Sequence, residues 1–221
     1  MNDNPGLIGR KLGMTQVFTG DGSVVPCTVI EAETVVVGKR TAEKDGYDAL
    51  VIGMGERKAG RTAKAQAVVY EKAGIAPKQH VRELRCSAEH AAKFEVGKPL
   101  GVADVFEEGQ YVDVQGVSRG RGFSGVMRRH NFRGGGGSHG SHEYKRHGGS
   151  IGQNMTPGRV FPGMKMAGQH GNATVSVLSQ PVIKVVADQN LVLVRGGVPG
   201  PRGSMVLVRG AVKKRGKKLA S

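Results

Sequence analysis

Gly120-Arg121-Gly122-Phe123-Ser124-Gly125 has the G-x-G-x-x-G spacing with which a backbone can cradle a diphosphate, and Gly116 precedes it at the end of a strand-like stretch. A dinucleotide site also needs a βαβ unit, a helix opening on the last glycine and an acidic residue about twenty positions on. None of these follows, and no G-x-x-x-x-G-K-[ST] occurs anywhere. His139, His142 and His147 lie close together, and His142-Glu143 mimics the start of a zincin motif. The second histidine of that motif comes five positions on rather than four, which on a helix places it about 140° around the cylinder. Acid–base chemistry needs two placed carboxylates, or one with a nucleophile and a base; residues 116–172 hold Glu143 alone. Cys27 and Cys86 are too few for a disulfide scaffold or a four-thiolate zinc site, and Cys27 falls in a strand pattern as a small buried hydrophobe. Asn154-Met155-Thr156 and Asn172-Ala173-Thr174 match the glycosylation sequon, which matters only in a secreted chain. The spacing predicts no enzyme, no metal and no cofactor.

Positive charge is the chemistry that remains. The 221 residues carry a formal +15, unevenly placed. Residues 1–115 are nearly balanced at −1, whereas 116–172 and 173–221 each reach +8 with one carboxylate apiece. Sixteen of the 36 glycines and five of the seven histidines fall in 116–172. Arginines set among glycines let backbone and guanidinium approach phosphate, and Phe123, Phe132, Tyr144 and Phe161 are available to stack on bases. A polyanion is the partner this composition predicts.

The elements that must position these residues are mostly short strands. Met14–Phe18, Val24–Ile30, Thr34–Val37, Tyr47–Ile52, Val102–Phe106 and Tyr111–Val117 are β-rich before the glycine segment. Thr174–Leu178, Val182–Val186, Leu191–Val194 and Met205–Val208 follow it. Asp21-Gly22 is a hairpin signal, Arg61–Lys72 predicts a helix stopped at Gly74, and Ser87–Phe94 a shorter one. Gly134–Gly137 excludes regular structure because glycine loses most backbone entropy on ordering. No apolar run reaches membrane-spanning length, and Met1–Pro5 lacks the pattern of a leader peptide. These readings predict a mainly β protein in three parts. A discontinuous body covers 1–118 and 173–212 with a helical insertion at about 61–94. An irregular loop spans 119–172, and a basic tail, with little to bury, spans 213–221.

Three ordered stretches resemble the bacterial form of the large-subunit ribosomal protein L-three family. Gly9–Phe18 (GRKLGMTQVF) is similar to its opening strand. Phe106, Asp113, Gly116, Ser118, Gly120-Arg121-Gly122, Gly125 and Arg129 fall at its diagnostic spacing. Gly149–Gln153, Thr156–Phe161 and Lys165–Gln169 resemble its loop tip and return. Phe161-Pro162-Gly163-Met164 departs from relatives that carry a lysine beside the glycine.

The resemblance implies a closed β-barrel of the translation-protein type whose loop penetrates RNA toward the peptidyl-transferase centre. It implies a cytoplasmic, non-enzymatic protein of the large ribosomal subunit that binds 23S-type rRNA and acts early in assembly. Neighbours of the L-fourteen and L-nineteen types are expected with it. In some bacterial relatives the glutamine matching Gln153 is methylated to N5-methylglutamine, which would make a glutamine methyltransferase a further partner. The residues expected on rRNA are Arg10, Lys11, Arg119, Arg121, Arg128, Arg129, Arg133, Lys145, Arg146, Arg159, Lys165, Lys213, Lys214 and Arg215. The competing expectation is a small enzyme whose basic loop is a lid over an anionic substrate.

Overall fold

Alternating β-branched residues build the body: Val112 and Val114 turn inward from one strand, Val192 and Val194 from another, Val206 and Val208 from a third. The structure, a computed structural model, describes residues 6–20 and 22–219. Asp21 of the expected hairpin turn, the Met1–Pro5 segment and the last two residues of the tail lie outside the described residues. The chain divides into two units, Met1–Val117 with Thr174–Ser221, and Ser118–Ala173.

The first unit runs β1 (Leu7–Phe18), β2 (Val24–Ala32), β3 (Thr34–Arg40), α1 (Ala42–Asp45), β4 (Ala49–Glu56), α2 (Lys64–Ala73), β5 (Lys78–Arg85), α3 (Ala88–Lys93), β6 (Pro99–Leu100), α4 (Val102–Val105) and β7 (Tyr111–Val117). The second unit contributes β8 (Phe123–Ser124), α5 (Val126–His130), a 3₁₀ turn over His142–Arg146, and β9 (Gly168–Gln169). The chain then re-enters the first unit as β10 (Thr174–Val186), β11 (Leu191–Arg195) and β12 (Met205–Gly210).

Six antiparallel strands, in the order β1-β12-β7-β10-β11-β2, pair in a ring that closes on itself. Register shifts between Lys11 and Gly13 in β1 and between Val177 and Gln180 in β10 add the local twist that tight curvature needs. The pair read from sequence as Thr174–Leu178 and Val182–Val186 is thus one bulged strand, with Ser179 at φ 53° inside the bulge. A second sheet, ordered β5-β4-β3-β6, shares no strand with the ring. Thr34 joins the two: its hydroxyl donates to the Ile8 carbonyl at 2.8 Å and accepts the Ile8 N–H at 3.1 Å. Phe106, Leu50, Ile52 and Ile8 belong to one continuous core.

Two expectations are corrected. The insertion at 61–94 is not purely helical, because β5 lies between α2 and α3 and pairs along β4 from Ala49↔Arg85 to Glu56↔Lys78. Val102–Phe106, read as a strand, forms α4 instead, with the Asp104 carboxylate accepting the Gly101 N–H at 3.1 Å. The Gly74 stop holds: at φ 66° its N–H reaches the Glu71 and Tyr70 carbonyls.

Candidate nucleic-acid interface

Two antiparallel limbs open the Ser118–Ala173 unit. Ser118 N–H donates to the Ala173 carbonyl at 2.8 Å, Arg121 N–H to His170 at 2.9 Å and His170 N–H to Gly122 at 2.9 Å, before Phe123↔Gln169 and Ser124↔Gly168 pair. Gly171, at φ 69°, closes this neck; a Cβ there would sit 2.1 Å from the Arg119 carbonyl oxygen. Only glycine permits that approach, and it leaves the Arg119 and Arg121 side chains in solvent.

Beyond the neck, α5 ends where Asn131 takes φ 59°. Arg129 turns back: its Nη1 donates to the Met166 carbonyl at 2.8 Å and lies where a Gly168 Cβ would be 2.7 Å away. Arg128 stays exposed. Gly134 and Gly135 then pack on the 3₁₀ turn, with Gly135 N–H donating to the Lys145 carbonyl at 3.1 Å. A Cβ on Gly134 would come within 2.2 Å of that same oxygen. The glycine run is therefore irregular, as its composition predicts, and used for close packing. Arg133, Lys145 and Arg146 ring this turn, all exposed. Further along, Arg159 lies over the Phe161 ring at 5.9 Å, and Gln153 and Lys165 are exposed.

Nine Lys and Arg face one carboxylate, Glu143, in this unit. Eight of these positive charges are left uncompensated within the unit, and a guanidinium fork matches phosphate oxygens in geometry and charge. The three histidines do not converge; among the described residues no group of three or more His, Cys, Asp or Glu is placed to hold a metal ion.

The remaining expected contacts lie in the first unit. Arg10 is exposed and 3.9 Å from Glu33. Lys11 is turned inward: its Nζ donates to the carbonyls of Val198 at 2.9 Å and Gly200 at 3.0 Å, pinning the loop before β12. Its neighbours in sequence carry no signal of this, because the loop it pins lies nearly 190 residues away. Lys213 and Arg215 are exposed, and Lys214 caps the Tyr111 ring at 4.1 Å.

The tail is not loose. Lys218 bridges to Gln110, Leu219 N–H donates to the Gly109 carbonyl at 2.7 Å, and the Lys218 ammonium bonds the Glu107 carboxylate. The hydrogen bond from Lys218, reinforced by its charge, holds the Glu107 carboxyl below its ordinary value. A lowered folded-state value stabilises the strap above the unfolded value, and the contribution fades as pH falls through the folded one. Acidifying from pH 7 to pH 3 should shift the Lys218 side-chain and Leu219 amide resonances together, and Glu107→Gln should abolish that coupled shift.

Arg195 and Arg202, not among the residues expected on rRNA, also stand in solvent on the first unit. Buried Cys27 matches its strand reading, and desolvation pushes its thiol up.

The family model described as Ribosomal protein L3 matches residues 49–190. The chain is 59 % identical to the large ribosomal subunit protein uL3 of Sorangium cellulosum over 218 residues, covering 99 % of this chain and 94 % of that one. It is 49 % identical to the protein of the same name from Thioalkalivibrio sulfidiphilus, covering 96 % and 99 %. The chain belongs to the ribosomal protein L3 family. Membership places it among structural proteins and removes the lid-enzyme reading. The family match runs from β4 through the whole Ser118–Ala173 unit into the turn before β11, so it includes every loop cation named above.

Proposed function

We propose that this protein is a structural constituent of the large ribosomal subunit, cytoplasmic within that particle, which binds 23S-type rRNA directly. The observation that carries the reading is the nine-to-one excess of cations over carboxylates in Ser118–Ala173, all of the cations but Arg129 exposed. The ring of six strands acts as a translation-protein barrel seated on the subunit, and residues 119–172 extend from it into rRNA toward the peptidyl-transferase centre. Joining early, it helps order the rRNA around it, beside neighbours of the L-fourteen and L-nineteen types. Arg119, Arg121, Arg128, Arg133, Lys145, Arg146, Arg159 and Lys165 hold phosphates, assisted by Arg10, Lys213 and Arg215. Lys11, Arg129 and Lys214 are each engaged within their own unit, on the Val198 and Gly200 carbonyls, the Met166 carbonyl and the Tyr111 ring.

Gln153 sits in this reading at the deep end of the loop, where a neutral amide can bond base edges and ribose hydroxyls alike. A glutamine methyltransferase acting there would remove one donor and add apolar volume without adding charge. The test is to sediment a tagged copy from lysates: it should run quantitatively with the large subunit, and free migration would refute the assignment. In the same gradients Gln153→Glu should raise immature large-subunit precursors severalfold over Gln153→Ala, because a carboxylate among phosphates is desolvated and repelled. Equal profiles for both variants and the wild type would make Gln153 an ordinary turn residue.

A further inference from the structure

The cations of the second unit are interrupted midway along its sequence. From His147 to Gly158 there is no Lys, Arg, Asp or Glu, while Arg146 and Arg159 bracket the gap. Apolar side chains stand out in solvent in and beside this neutral stretch: Met155 is 88 % exposed, and Ile151, Val160 and Phe161 are exposed as well. The backbone presents them. Ser150 Oγ donates to the Gly152 carbonyl at 2.7 Å and accepts the Gly152 N–H at 3.3 Å. Gly158, at φ 67°, closes the turn from the other side, where a Cβ would lie 3.0 Å from the Met155 carbonyl oxygen.

Phosphate has nothing to offer a thioether or a sec-butyl group, whereas the faces of unstacked bases do. They are flat, apolar and polarisable, and methionine sulfur and methyl pack well on aromatic rings. The polyanion that the bracketing arginines select carries its apolar surface only on its bases. We propose that the extension grips RNA in two modes, with its flanking cations on phosphates and the neutral stretch between them burying Met155 and Ile151 against one or more splayed nucleobases. This rests on the rRNA-binding function proposed above and deepens it.

The two modes differ in salt dependence, since only phosphate contacts release counterions. The full chain and its variants are titrated with in-vitro-transcribed bacterial large-subunit rRNA at several salt concentrations. Met155→Ala should weaken binding roughly tenfold at every salt concentration, leaving the slope of log K against log salt unchanged. Arg159→Ala should instead reduce the magnitude of that slope by about 0.7 to 0.9. Met155→Lys, which a phosphate-lined seat would welcome, should bind more weakly than wild type. Removing Met155 takes nothing from the packing of the protein itself, so a folding defect does not confuse the comparison. Tighter binding by Met155→Lys, or a Met155→Ala defect that vanishes at high salt or is absent, overturns the two-mode proposal alone. No binding by the unsubstituted chain overturns the proposed function with it.

Discussion

Raising salt from 50 to 200 mM should weaken binding of this protein to large-subunit rRNA by about four to five powers of ten. Each phosphate neutralised releases counterions, giving a slope of about −0.7 per contact on single strands and −0.9 on duplex. About ten of the exposed cations in the extension and strap meeting phosphate gives a slope of roughly −7 to −9. The structure sharpens which substitutions should move it. Arg121→Gln or Arg133→Gln should each lower its magnitude by nearly one. Lys11→Gln should leave the slope alone while loosening the loop at Val198–Gly200, because that ammonium is already spent on two carbonyls. Gln substitutions at Lys213 and Arg215 are the right probe of the strap, since truncation would also strip Leu219 from the Gly109 carbonyl. A slope shallower than −3 would show that phosphate contacts do not dominate.

The largest stability effect should come from Asp113→Ala. Asp113 lies on β7, 2 % exposed, with each carboxylate oxygen used once. Oδ1 accepts the Ser179 N–H at 2.8 Å and Oδ2 the Val212 N–H at 3.2 Å. One side chain thus fixes the bulge of β10 and the point where the basic strap departs. Alanine leaves two N–H groups without partners, at about 1–3 kcal/mol each. A loss of about 3 kcal/mol should lower Tm by roughly 6–12 °C in a chain of this size. Asp113→Asn, which keeps one acceptor, should fall between. A melting temperature within 2 °C of wild type for the alanine variant would rule out this role.

How much of this was legible in the sequence depended on where the signal was local. The strands of the ring were, because valine and isoleucine alternate in them and glycines mark their ends. β5 was not: in Lys-Gln-His-Val-Arg-Glu-Leu-Arg only Leu84 is buried, so a charged strand at the edge of the second sheet has the composition of a helix. Val102–Val105 is too short for apolar period to separate the two states, and the Asp104 carboxylate accepting the Gly101 N–H accompanies the helix. In the interface, charge and glycine content singled out the segment whose cations the structure leaves exposed. They could not separate Arg128, in solvent, from Arg129, bonded to the Met166 carbonyl, because that difference depends on a chain segment 37 residues away. Asp113 stood in the family pattern, but its two N–H partners are 66 and 99 residues distant.

Val117 and Thr174 are direct partners in the β7–β10 ladder. The extension therefore behaves as a cassette spliced into a hairpin, entering and leaving the body at a single rung. Joining β7 to β10 across ~56 residues rather than a four-residue turn costs only about 2 kcal/mol more, because closure entropy grows with the logarithm of length. Over evolutionary time the cassette can be lengthened, trimmed or rewritten almost independently of the body that carries it. Synthesis is where the arrangement is felt: the whole cassette must leave the ribosome that makes it before β10 can pair with β7 and β12 can close the ring.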